Sequence, residues 1–134
     1  MAANNPYQSY QQNSVNTAPP GELTLMLYNG CLKFIHLAKT AIQEKNISSR
    51  NNNLLKAQDI IRELMTTLNP DMDISKSLMP LYDYMHRRLI EANMKSDIHI
   101  LDEVEEFVTE FRDTWKQVIQ INRQKQYGND SKTL

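Results

Sequence analysis

The histidines and the single cysteine are the residues best suited to bind a metal ion or to carry out nucleophilic catalysis. His36, His86 and His99 lie far apart, and neither they nor Cys31 form a His-x-x-x-His or a Cys/His pattern. A zinc site needs such spacing because its ligands must point at one ion. We therefore expect no metal and no cofactor, and we interpret the histidines as surface residues.

Carboxylates could supply a second kind of chemistry. Asp83 and His86 are spaced i, i+3, but a di-iron bundle needs inward Glu-x-x-His pairs from two helices and two further carboxylates. An acidic cluster near the C-terminal end is typical of a solvated helix face, not of an acid-base pair. Its members are Asp102, Glu103, Glu105, Glu106 and Glu110. No catalytic residue is predicted, and the protein is not expected to be an enzyme.

His36 supports one alternative function. With Lys39 it resembles the exposed histidine and nearby lysine of histidine phosphotransfer bundles, in which the imidazole accepts a phosphoryl group from an aspartate. In that family a glycine follows the lysine, whereas Thr40 occupies the place here. A phosphotransfer bundle that uses His36 is therefore the alternative hypothesis.

Four stretches of the chain carry apolar residues at alternating spacings of three and four, and the elements that they form must hold any functional group in place. This period keeps side chains on one face of an α-helix, so we predict an all-α protein. Short links place successive helices antiparallel, which gives an up-down-up-down four-helix bundle with a flexible N-terminal arm. The predicted core seams are Leu23, Leu27, Gly30, Phe34, Leu37 and Ala41; Leu54, Ala57, Ile61, Leu64 and Leu68; Ile74, Leu78, Leu81, Met85 and Ala92; and Leu101, Val104, Val108, Phe111, Trp115 and Val118. Trp115 is expected to be largely buried.

The chain divides into three predicted segments. Residues 1–19 form a flexible arm, because residues 1–20 contain no charged side chain and are rich in Asn, Gln, Ser and Pro. Residues 20–123 form the bundle, and residues 124–134 form a flexible C-terminal tail.

Within the bundle, polar residues and proline predict where the helices end. Helix one should run from about residue 20 to 46, and the asparagine-rich segment 46–53 should connect it to helix two. Helix two should end at Asn69-Pro70. Asp73 or Ser75 should cap helix three, and Asp97 should cap helix four.

Composition restricts the class of partner. The 134 residues fit one domain, and the sole cysteine excludes an intramolecular disulfide. The N-terminus lacks the basic start and apolar run of a secretory signal, and no apolar run approaches the ~18 residues of a membrane span. A formal net charge of -1 gives no global attraction to nucleic acid or anionic lipid. We expect a cytoplasmic protein that binds another protein, without nucleic acid or membrane insertion.

A second apolar stripe lies beside the predicted seams. It is either a wide core face that uses three of seven positions, or a groove that binds an amphipathic partner. Methionine side chains suit such a groove because they are flexible. The predicted client-binding residues are Ile60, Met79, Tyr82, Leu89, Ile100, Phe107 and Ile121.

Several ordered runs carry a resemblance to a known family. They are Pro20-Gly21-Glu22-Leu23, Met26-Leu27-Tyr28-Asn29-Gly30, Leu81-Tyr82-Asp83-Tyr84-Met85, Arg88-Leu89, Ala92-Asn93, the stretch from Glu103 to Trp115, and the arm from Tyr7 to Tyr10. Over nearly its whole length the chain resembles the flagellin-specific export chaperones, the FliS family. Pro19 departs from the pattern, since the family often has a Ser or Thr cap there.

The resemblance implies a non-enzymatic chaperone that binds the disordered C-terminal segment of flagellin in the cytoplasm. Such a chaperone prevents premature polymerisation and assists delivery to FlhA, the gate component of the flagellar type III export system. Tyr7 and Tyr10, spaced i, i+3, could cover an apolar groove of the empty protein, and the resemblance suggests that this region acts at the export gate. Self-association without client, including a weak homodimer, stays open.

Overall fold

The residues that the structure describes form an antiparallel bundle of four helices. The computed structural model describes the backbone of residues 21–132 and the side chains of residues 21–125. The helices are α1 (Glu22–Gln43), α2 (Ile47–Thr66), α3 (Asp73–Lys95) and α4 (Ile98–Lys132). Each packs on its neighbours in the chain, and α4 also packs on α1, which closes the ring. The predicted all-α antiparallel four-helix bundle is confirmed, whereas the predicted N-terminal arm lies outside the described residues.

Two contacts between α1 and α4 show their antiparallel arrangement. The Lys39 ammonium, near the end of α1, lies 2.6 Å from an Asp102 carboxylate oxygen near the start of α4. At the other end, the Trp115 indole Nε1 donates to the carbonyl oxygen of Gly21 at 2.7 Å. The α4 helix then continues to Lys132, so the predicted bundle boundary at residue 123 lies inside a helix. None of the helices in residues 21–132 combines the length and the apolar composition that a membrane-spanning helix requires.

The core follows the predicted seam in α2 and in the first half of α4, but only partly in α1, which also buries Tyr28, Cys31, Ile35 and Ala38 outside the predicted seam. Leu54, Ala57, Ile61 and Leu64 of α2 are fully buried. Their counterparts on the other two helices are Leu27, Phe34 and Ala41 of α1 and Leu101, Val104 and Val108 of α4. Leu37 is exposed. Trp115 is only partly buried and packs against the edge of the core.

The predicted seam of α3 is wrong in its first half. The side chains of Ile74 and Leu81 are 57% and 40% exposed. The helix instead buries Ser75, Tyr82, Met85, Leu89 and Ala92. Two apolar series run side by side on α3, and hydrophobic spacing does not separate them. In the folded protein the series that contains Tyr82 faces the core. The Tyr82 hydroxyl forms a hydrogen bond with the Tyr28 hydroxyl inside the bundle, so its burial leaves no polar group unpaired.

The first interhelix connection is shorter than predicted. Helix α2 begins at Ile47, so most of the asparagine-rich segment 46–53 is helical. The Asn46 side-chain oxygen accepts a hydrogen bond from the Ser49 backbone N–H at 3.0 Å. This cap satisfies a donor that the first helical turn leaves unpaired, which allows the helix to start in a polar sequence.

Of the other two predictions of helix caps, the one for α3 is wrong and the one for α4 is confirmed. Neither Asp73 nor Ser75 caps α3, because Met72 occupies the N-cap position without a side-chain hydrogen bond. Asp97 is confirmed, since its carboxylate accepts from the His99 backbone N–H at 2.9 Å.

Replacing Asn46 with alanine should lower the free energy of unfolding by about 1 kcal/mol, because the Ser49 N–H loses its acceptor. Urea denaturation followed by circular dichroism measures the loss. Asn52→Ala is the control, since Asn52 is an exposed residue inside the same helix. Equal changes at the two sites would show that the cap does not stabilise α2.

The histidines differ in environment. His36 and His99 are exposed, as expected for surface residues. His86 is half-buried, and its Nε2 atom is enclosed without a hydrogen-bond partner. Burial, followed by the nearby Arg62 charge, lowers the pKa of His86 below its usual value. Its classification as a surface residue is therefore only partly right.

Candidate functional site

An apolar groove lies at the end of the bundle where α1 and α3 begin and α2 ends. Its cavity has a volume of about 470 Å³. It is lined by Thr24, Tyr28, Thr67, Leu68, Asn69, Met72, Ile74, Ser75, Leu78, Tyr82, Phe111, Thr114, Trp115 and Val118. We call this set of residues the basal groove. None of these lining residues carries a formal charge, so the groove suits an uncharged apolar occupant.

Three aromatic side chains form the floor of the basal groove. The ring centroid of Phe111 lies 6.2 Å from that of Tyr28 and 6.2 Å from that of Tyr82. The two tyrosine hydroxyl oxygens are 2.5 Å apart and share a hydrogen bond. Tyr28 and Tyr82 are only 4% and 2% exposed. The core of the bundle therefore ends at this aromatic layer, and the groove begins there.

Burial also fixes the charge state of the two tyrosines. It is the largest cause that raises the pKa of Tyr28 above its usual value, and it does the same for Tyr82. Both side chains therefore stay neutral at physiological pH, and each can act as a donor and as an acceptor of hydrogen bonds.

The rim of the groove is built around the start of α1. Gly21 has a φ of 90°, a left-handed conformation that favours glycine. Its carbonyl accepts the Trp115 indole proton at 2.7 Å. Glu22 forms an ion pair with Arg123 of α4. These contacts hold the entry of the chain into α1 beside Trp115 and therefore beside the groove.

A smaller cavity of about 280 Å³ lies on α4 around Phe107, bounded by Glu103, Glu106 and Glu110. The Phe107 ring packs edge-on against Tyr84, with centroids 6.3 Å apart. Glu103 accepts a hydrogen bond from the Arg88 guanidinium at 2.8 Å. This surface is acidic, and one of its carboxylates, that of Glu103, is paired with a cation. Such a pattern is typical of a solvated helix face.

The structure places the predicted client-binding residues in different environments. Ile60, Tyr82, Leu89 and Ile100 belong to the buried core. For these four residues the structure shows the first of the two alternatives left open by the sequence, a wide core face that packs against the other helices. Client contact by any of the seven residues stays a prediction.

The remaining three predicted residues are accessible to different degrees. Met79 and Ile121 are 41% and 49% exposed, and Phe107 is partly buried. Of all seven, Tyr82 is the one that lines the basal groove. The predicted set therefore does not come together as a single surface.

Sequence reasoning missed the basal groove because most of its apolar walls were assigned to the core. Leu78, Phe111 and Trp115 continue the seam periodicity, but they are only partly buried. Met72 and Ile74 offered a signal, because they follow Asn69-Pro70 at a helix start. They are 54% and 57% exposed.

The surroundings of His36 do not favour phosphotransfer. The Lys39 ammonium contacts the carboxylates of Asp102 at 2.6 Å and Glu105 at 3.3 Å. The hydrogen bond to Asp102 is the largest cause that raises the pKa of Lys39. The lysine therefore links α1 to α4.

Among the described residues, no group of three His, Cys, Asp or Glu side chains could hold a metal ion.

Comparison with known proteins gives consistent matches. Residues 3–122 match the family model of the flagellar protein FliS. The chain is 59% identical over 129 residues to the flagellar secretion chaperone FliS of Bacillus subtilis (strain 168), covering 96% of this chain and 97% of the relative. It is 35% identical over 117 residues to the flagellar secretion chaperone FliS of Vibrio cholerae, covering 83% and 86%. A crystal structure of a flagellar chaperone from bacteria has the same fold, with a TM-score of 0.71 at 22% identity over 85% of this chain and 94% of that one.

Proposed function

Since this chain belongs to the FliS family of flagellar secretion chaperones, we propose that it binds the disordered C-terminal segment of flagellin in the cytoplasm. In this proposal the bound chaperone prevents premature polymerisation. The loaded complex is then delivered to FlhA at the flagellar type III export gate. The observation that carries the proposal is the basal groove, an open and uncharged apolar cavity of about 470 Å³.

The size and composition of the groove support a peptide occupant. Its volume lies within the range of known ligand sites. An amphipathic segment can place its apolar side chains there and leave its polar face in water. Ordering a disordered segment costs about 2–5 kcal/mol or more, which lowers the affinity and permits release at the gate.

We extend the proposed client surface from the groove to accessible apolar residues outside it. Met79, Phe107 and Ile121 are the predicted client residues that a long segment could reach on the folded bundle. Ile60, Leu89 and Ile100 could be reached only if helices separated, because each is at least nine-tenths buried.

Calorimetry with purified flagellin tests the proposed client. The full chain should bind flagellin stoichiometrically. It should also delay flagellin polymerisation, which light scattering measures. Flagellin lacking its C-terminal segment should give no binding heat. The same heat with full-length and truncated flagellin would contradict the proposal that the C-terminal segment is recognised.

We also propose that the N-terminal arm covers the basal groove in the empty protein and is displaced by client. Tyr7 and Tyr10 lie outside the described residues. The position of Gly21 beside Trp115 supports the idea, because the arm joins the described part of the chain at this point of the groove rim. The arm has no charged side chain, which matches an uncharged groove.

Replacing both Tyr7 and Tyr10 with alanine should leave the thermal melt unchanged but reduce recruitment of the loaded complex to FlhA. Hydrogen exchange should show protection of residues 5–15 that disappears when client binds. Replacing Gln11 and Gln12 with alanine is the matched control in the same arm. Absence of protection in both states, together with normal export by the tyrosine variant, would leave the arm without this role.

A further inference from the structure

The Tyr28–Tyr82 pair holds more hydrogen-bond donors than it uses. Each phenolic hydroxyl carries one proton, and the bond between the two oxygens uses only one of them. Within the described residues, the partner found for either hydroxyl is the other hydroxyl. Since both tyrosines line the basal groove, an occupant of that groove is the group best placed to supply an acceptor for the second proton.

We propose that this second hydroxyl proton donates to a main-chain carbonyl of the client segment. The tyrosine pair then selects segments that enter the groove with an unpaired carbonyl. This inference rests on the proposed function and specifies the chemistry of client recognition at the same site.

Displacement of water by a bound segment makes the tyrosine donor discriminate between client segments. Whenever neither the client nor the N-terminal arm covers the groove, solvent can accept the hydrogen bond. When an apolar segment displaces that water, the donor is left unpaired unless the segment brings an acceptor, and burial of an unpaired donor is unfavourable. A site with a buried donor therefore rejects ligands that lack the matching group more strongly than an apolar surface does.

The acceptor follows from the uncharged lining of the groove. A carboxylate could accept the proton, but its transfer into a neutral apolar cavity carries a large desolvation cost. A peptide carbonyl is neutral and is present at every client residue. Carbonyls inside a helix are already bonded, so the matching segment is extended or presents the last turn of a helix.

The other hydroxyls of the groove place a weaker demand on the client. The Thr67 hydroxyl donates to the Leu64 backbone carbonyl at 2.7 Å, and the helical residues Thr24, Ser75 and Thr114 can reach a carbonyl of the preceding turn by rotating their hydroxyl groups in the same way. A tyrosine hydroxyl at the end of its ring cannot satisfy itself in this way. The floor pair is therefore the donor that most requires a client acceptor.

Removal of both hydroxyls tests the inference, with a synthetic peptide of the flagellin C-terminal segment as the probe. The double variant Tyr28→Phe, Tyr82→Phe should bind this peptide about tenfold more weakly in calorimetry. Either single variant should lose less, because the remaining hydroxyl can turn its proton towards the client. Tyr84→Phe is the matched control, since its hydroxyl bonds to Glu103 at 3.1 Å outside the groove.

Peptides in which one amide is replaced by an ester separate a client contact from a change in the fold. At one position the ester should weaken binding to the wild-type protein about tenfold, because an ester carbonyl is a poorer acceptor. The same ester should cost the double variant nothing further. Wild-type affinity in the double variant, or equal binding of every ester peptide to the wild type, would overturn this inference and leave the chaperone proposal intact. Failure of the wild type to bind the unmodified peptide would instead contradict the proposed client.

Discussion

Replacing Leu89 with alanine should lower the free energy of unfolding by about 2–5 kcal/mol. Leu89 is 0% exposed within the core of α3, so truncation removes buried methyl groups and leaves a cavity that its neighbours fill only partly. Urea denaturation at constant pH, followed by circular dichroism, measures the change. No change in the slope of the transition is expected, because the surface exposed on unfolding stays nearly the same.

Leu81→Ala is the matched control for this prediction. It makes the same chemical change in the same helix, but at a side chain that is 40% exposed. The expected loss is about 1 kcal/mol, because less apolar area is removed from a partly solvated site. A loss at Leu81 as large as that at Leu89 would favour the packing face of α3 predicted from the sequence.

The sequence was sufficient for the fold because helical spacing and short links point to one architecture. On α2 the predicted seam from Leu54 to Leu64 is the buried face. Periodicity worked there because polar residues occupy most of the opposite face. Asp97 was also predictable, since capping depends on local geometry.

The rotation of α3 could not be predicted in the same way. Leu81 and Tyr82 are adjacent and both fit an apolar series, so the choice depends on which neighbour receives them. Tyr82 can be buried without an unpaired hydroxyl because Tyr28, 54 positions earlier in the chain, hydrogen-bonds to it. Such a pairing between distant residues leaves no periodic signal in the sequence.

The basal groove could not be predicted from the sequence for a related reason. A residue that continues a seam past the end of its facing helix has the same spacing as a core residue. Trp115 and Leu78 therefore looked like core, although they are only partly buried at the open end of the bundle. A binding surface built from core-like residues is recognisable only when the ends of all helices are known.

Leu78→Glu should weaken binding of the flagellin C-terminal segment by about 100-fold or more. Leu78 lines the basal groove, and a client that seals the groove would bury the new carboxylate without a cation among the lining residues. Burying an unpaired charge costs several kcal/mol, which exceeds the ~2.7 kcal/mol that corresponds to a 100-fold change. Without client the same carboxylate can stay partly solvated, since Leu78 is only partly buried and the N-terminal arm, unlike a bound client, can leave the groove, so the loss of stability should be smaller.

Calorimetry and a thermal melt of the same variant separate these two effects. Leu81→Glu provides the matched control, because it adds the same charge one turn further along α3, at an exposed site outside the groove lining. It should change the affinity less than about threefold, as surface substitutions usually do. If Leu78→Glu binds the segment as tightly as the wild type while Leu81→Glu does not, the client lies on the outer face of α3. The basal groove must then serve another occupant, and the N-terminal arm is the first one to test there.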